Sequence, residues 1–197
     1  MKLKHLLLAG VAAGAANMAM ATTGTITFNG QVVTSSCTVK VNGNSEDASI
    51  ILPTVSSQYL SQLGDTAGAT RFTIGLSGCT VITGANPDVT TVKTRFSARN
   101  VDGTNLANTA GTSPATNVAI QLLEDTGVVG STANTALDFT TGFADSTSKT
   151  WSEIIPDPDG TGDGTATFPF VVQYYANNDQ VGAGKVTAIV DYEIIYQ

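Results

Sequence analysis

Histidine is almost absent from this 197-residue chain, His5 being the single example. Charge is scarce too: Asp, Glu, Lys and Arg make up 13% of the residues, and the 9 basic ones are outnumbered by 16 acidic ones. There are two cysteines and one tryptophan, and no apolar run approaches the roughly 20 residues that a bilayer-spanning helix needs. Each shortage removes a class of function once the first residues are considered. Lys2 and Lys4 precede an apolar stretch from Leu6 to Ala16, and Ala19-Met20-Ala21 supplies the small-x-small pattern of a signal-peptidase site. Residues 1–21 therefore read as a secretory signal, with an exported, soluble chain beginning near Thr22.

Export takes His5 with the signal and leaves no histidine, which excludes Ser-His-Asp and Cys-His catalysis and most zinc sites. It leaves seven of the 9 basic residues against all 16 acidic ones, or about −9, a surface that repels nucleic acid and anionic lipid. Nucleic-acid binding and membrane insertion are thus not expected. Neighbouring carboxylates remain, Glu124 with Asp125 and Asp157 with Asp159, but paired acids in polar turns are far more often solvated than catalytic. No catalytic residue is assigned, and the chain is not expected to be an enzyme. The run Asp157-Pro158-Asp159-Gly160-Thr161-Gly162-Asp163 places carboxylates at spacings that only loosely follow a calcium loop. Pro158 and the missing distal glutamate favour a flexible insertion between strands, so no metal and no cofactor is expected.

The cysteines, Cys37 and Cys79, are an even count in an oxidising compartment and are most simply read as one disulfide. Closing a loop of their 42-residue separation is worth roughly 4 kcal/mol on chain-entropy grounds. Neither lies in a Cys-x-x-Cys pair of the kind that tunes a reactive thiol.

Apolar positions recur with period two, and Thr, Val, Ala and Gly dominate the composition, which predicts an all-β domain. Candidate strands are Thr25–Val33, Cys37–Val41, Ala48–Leu52, Arg71–Leu76, Val92–Ala98, Asn117–Leu123, Thr165–Tyr175 and Lys185–Tyr196, separated by clusters of Gly, Asn, Asp and Pro. Seven or eight short strands with cysteine-linked early strands fit an immunoglobulin-like β-sandwich better than a barrel. Residues Ser56 to Leu63 (SSQYLSQL) have room for one helical turn or two. Nothing divides residues 37–197 further.

Both ends of the exported chain read as strands with one dry face. Near the start, Gly24, Ile26, Phe28, Gly30 and Val32 alternate with Thr25, Thr27, Asn29 and Gln31. At the end, Val186, Ala188, Val190, Tyr192, Ile194 and Tyr196 share one face, with Thr187, Asp191 and Glu193 on the other. Either the two pair within one molecule and complete an ordinary sandwich, or each seeks a partner elsewhere, since unpaired edges recruit foreign strands. Alternation alone leaves that choice open.

The order of these motifs resembles the major subunits of type 1 fimbriae, members of the chaperone-usher pilin family. GTITFNGQVV precedes Cys37, FTIGLSGC ends on Cys79, and NVAIQLLEDTG and TFPFVVQYYA follow; Gly184 lies fourteenth from the end and Tyr196 is penultimate. The resemblance covers essentially the whole exported chain. It implies an immunoglobulin fold lacking its final strand, with a groove beside the C-terminal strand from Gly184 to Gln197. It implies that residues 22–36 are a donor extension whose Ile26, Phe28, Gly30 and Val32 enter the groove of the next identical subunit, and that residues 37–197 are the pilin domain. It further implies a periplasmic chaperone that fills the groove first and holds the carboxylate of Gln197, an outer-membrane usher where strands exchange, and an extracellular fimbrium as the destination. A minor subunit, a terminator or a single-domain adhesin of the same pathway shares these motifs, although an intact donor segment favours a repeating subunit.

Overall fold

A computed structural model describes residues 27–28, 37–80, 91–125, 134–145, 152–153, 155–156 and 163–196. The chain divides into two units, Met1–Val33, of which Thr27 and Phe28 are described, and Thr34–Gln197, which holds every strand among the described residues. Alternation builds the long strands. In β2 (Thr66–Thr80), Phe72, Ile74 and Leu76 are buried; in β11 (Asp163–Ala176), Ala166, Phe168, Phe170 and Val172 are buried while Thr165, Thr167 and Pro169 face out. β6 (Val118–Glu124) is a nearly continuous apolar run and is buried on both faces except at Gln121.

These strands form the larger sheet. Its order begins with β1 (Thr38–Val41), β2, β11 and β6, and ends with β5 (Asn105–Ala107) and β4 (Val101–Asp102). Two short strands, β7 (Thr135–Ala136) and β10 (Ile155–Pro156), pair with β6 and β11. Pro169 is tolerated in this sheet because the edge on which its missing N–H would lie faces away from β2 and past the last β6 pair; its carbonyl, on that same edge, accepts from the Asp125 amide at 3.1 Å. The smaller sheet runs β12 (Val190–Tyr196), β3 (Thr91–Ala98) and β8 (Phe143–Asp145), with β9 (Ser152–Glu153) beside β3. All strand pairs are antiparallel.

The sheets share one core. Phe96 of β3 meets Phe170 of β11 edge to face at 4.9 Å between ring centroids, and Phe72 stacks on the same ring at 5.5 Å. Leu137 and Phe139, from the stretch that links β7 to β8, are fully buried in the same cluster. A disulfide joins Cys37, just before β1, to Cys79 near the end of β2, stapling the strands that pair in register Thr38 with Ser77 through Val41 with Ile74.

Two strand expectations need correction. Residues 48–52 join no ladder among the described residues, although Ile50 and Leu52 pack against the core. The C-terminal strand starts at Val190 rather than Lys185. Its partner β3 ends at Ala98, and residues 182–187 turn instead to the 108–116 loop, with Lys185 N–H donating to Ser113 at 2.8 Å and Ala115 N–H donating to Lys185 at 2.9 Å. The helical expectation resolves to a single 3-10 turn, Ser57–Leu60, started by the Ser56 hydroxyl, which accepts from the Gln58 amide.

Candidate functional site

β12 has a partner on one side only. Its seven residues pair in register with β3, from Val190 opposite Ala98 to Tyr196 opposite Val92, and its other edge has no strand among the described residues. Across from that free edge runs the unladdered stretch 46–52. Between the two lies a groove floored by core side chains. It comprises three contiguous clefts of 530, 600 and 500 Å³, the first two sharing Ile50, Phe72 and Val190 and the first and third sharing Tyr174 and Val186.

The groove opens the core. Its floor includes Phe72, Ile74, Leu122 and Val172, all members of the main apolar cluster. Its walls are only partly covered: Ile51 is 86% exposed and Ile189 48% exposed. Val186, Ala188, Val190, Tyr192, Ile194 and Tyr196 all pack against the core and all remain half-buried, whereas Asp191 and Glu193 face solvent. A strand pattern with one dry face has thus been laid beside an apolar floor with nothing described on its open side.

Gly184 closes one end. A β-carbon added there would fall inside the backbone of Pro114 and Ala115, and one added at Gly182 would overlap the Thr116 hydroxyl. Only glycine allows residues 182–185 to cross so close to the 113–116 loop. The crossing is then fastened by Thr187, whose amide donates to Asn108 Oδ1 at 3.0 Å and whose carbonyl accepts from the Thr109 amide at 2.7 Å.

Of the donor positions, Ile26, Gly30 and Val32 lie outside the described residues, and Phe28 is 89% exposed. Gln197, residues 157–162 and the Asp163 side chain also lie outside them. Sequence reasoning missed the far wall of the groove, Glu46 to Leu52, as a wall. Its signal was the apolar Ile50-Ile51-Leu52 run, read instead as a paired strand.

The outer face of the smaller sheet carries charge of a different kind. Asp145 receives Arg95 at 2.6 Å and Lys93 at 2.8 Å, and Arg99 holds Asp191 at 2.6 Å. The Arg95 guanidinium, helped by Lys93, holds the Asp145 carboxyl well below the ordinary carboxylate range against the opposing effect of desolvation. Among the described residues no group of three or more His, Cys, Asp or Glu side chains is placed to hold a metal ion. No helix among them is long and apolar enough to cross a membrane.

The described residues thus form an all-β sandwich with an apolar groove along the free edge of β12. A family model described as "Fimbrial protein" matches residues 26–197, and the chain belongs to that family as a structural subunit of the pilus. It is 37% identical to a major fimbrial subunit of Haemophilus influenzae, with 97% of this chain and 94% of that protein aligned. It is 36% identical to the F17 fimbrial protein of Escherichia coli, over 95% and 94% of the two chains. A chain in a solved chaperone-usher pilus superposes with a TM-score of 0.55 at 22% identity, covering 89% of this chain and 96% of that one, which shows the shared fold.

Proposed function

We propose that the groove beside β12 accepts a β-segment from another chain, and that residues 24–32 are the segment this chain offers in return. Addition of a strand to a sheet edge is an established mode of recognition, and pilin assembly is a known instance of it. The observation that carries the reading is the half-burial of all six inward residues from Val186 to Tyr196 over an apolar floor, facing an unladdered wall. An inserted strand would find backbone groups on both sides and apolar pockets below. Burying Ile26, Phe28 and Val32 there would yield about 1.5–3 kcal/mol per side chain.

In this scheme a periplasmic chaperone fills the groove first and clamps the carboxylate of Gln197. At an outer-membrane usher, the N-terminal segment of the next subunit replaces it, with Gly30 letting the backbones approach closely. Donating segment and accepting groove are different surfaces, so the contact is heterologous, and repetition without closure gives a helical filament. Residues 1–21 direct export, and the product is a fimbrium on the cell surface. The role is structural rather than enzymatic: the relatives are fimbrial subunits and the exported chain carries no histidine. The intact donor segment favours a repeating rod subunit over a terminator. Deleting residues 22–33 tests this, since it should leave a chaperone-bound subunit that cannot donate; normal rods from that variant would reject the proposal.

A further inference from the structure

The groove is bridged at one point. The Tyr192 hydroxyl of β12 donates to the main-chain carbonyl of Glu46 at 2.8 Å, joining residues 146 positions apart on opposite walls of the same cleft. Among the described residues no other hydrogen bond links β12 to the 46–52 wall. The wall begins at a turn closed by Val41 N–H to Ser45 (2.8 Å) and Asn44 N–H to Val41 (3.1 Å), and its next residues, 48–52, enter no ladder. Partial burial, with Glu46 and Asp47 nearby, raises the phenol's pKa, so it stays protonated and able to donate.

Neighbouring strands stand about 4.8 Å apart. A segment inserted here must run between the walls at that spacing from each, and its amides must draw on wall carbonyls. A tyrosine that reaches from one wall to the other occupies that lane and already holds one of those carbonyls. We infer that Tyr192 is a latch across the unfilled groove, which each incoming strand must release from Glu46 before it seats. The inference rests on the strand-acceptor reading above and adds to it a barrier that acts on entry. The bond exists only while the groove is empty, so it slows insertion without holding an inserted strand in place.

Tyr192→Phe removes the hydroxyl and keeps the ring. The test measures entry and exit rates of a fluorescent peptide copying residues 24–33 on the full chain with its disulfide closed, comparing wild type, Tyr192→Phe and the surface control Tyr59→Phe. Loss of one net hydrogen bond should speed entry roughly two- to tenfold, leave exit unchanged, and have no counterpart in the control. A general loss of packing would instead raise the exit rate. Entry that is unchanged or slower in Tyr192→Phe, with the peptide still binding, overturns the latch and leaves the groove reading standing. A peptide that enters no variant, wild type included, overturns both.

Discussion

β3 and β12 are neighbours in one sheet, written in the same alternating code, and they meet different fates. In β3, flanked by β12 on one side and β8 and β9 on the other, Val92 and Thr94 are 0% exposed and Phe96 is 1% exposed. In β12, flanked on one side only among the described residues, Val190, Tyr192, Ile194 and Tyr196 stop at half-burial. Pattern decides which face turns inward. The number of partners decides how far inward it goes: among the described residues β3 is flanked on both sides and β12 on one.

That contrast can be broken by substitution. Phe96→Ala removes a ring packed against Phe170 and should cost about 3–5 kcal/mol, read as a fall in the denaturant midpoint. The same truncation in β12, Ile194→Ala, should cost about half of what a fully buried site would, roughly 1–2 kcal/mol in the lone chain. Its cost should grow when a donor peptide fills the groove. Equal costs at the two positions would mean that β12 is as complete as β3.

Gly184→Ala tests whether the groove's end depends on close backbone approach. The added methyl must displace Pro114 and Ala115, main-chain atoms that no rotamer change can move aside. A loss of about 1–3 kcal/mol is expected, visible as a lower melting temperature.

The smallest effect concerns pH. The Asp145 carboxyl titrates below its unfolded value because Arg95 and Lys93 favour its charged form. Its contribution is therefore present above the unfolded carboxylate pKa, about 3.9, and is lost as pH falls towards the folded value. Asp145→Asn should flatten the acid limb of the stability curve below about pH 4 and leave its shape unchanged above pH 5. An unaltered acid limb would show that the pair adds nothing measurable.

Much of the fold was legible because alternation is local. Val92–Ala98, Asn117–Leu123 and Thr165–Tyr175 are close to β3, β6 and β11, and the dry face of the last strand was readable residue by residue. The failures are non-local. Ala48–Leu52 has strand chemistry but joins no ladder among the described residues, and pairing with a distant segment is not displayed by local sequence. Lys185–Ile189 leaves the ladder because Gly182 and Gly184 permit a crossing over the 113–116 loop, a contact between segments about 70 positions apart. The Tyr192–Glu46 bridge and the Arg95–Asp145 pair join residues 146 and 50 positions apart and carry no sequence signature. Short strands β7 to β10 hold too few residues for any period to register.

The central claim is that this domain lacks one strand and that another chain supplies it. Amide hydrogen exchange compares the isolated chain directly with the same chain in assembled fimbriae. The account predicts that amides of 48–52 and those on the free edge of β12 exchange quickly in isolation and gain orders of magnitude of protection on assembly, while amides of β3 and β11 change little. Equal protection of β12 and 48–52 in both states would contradict it.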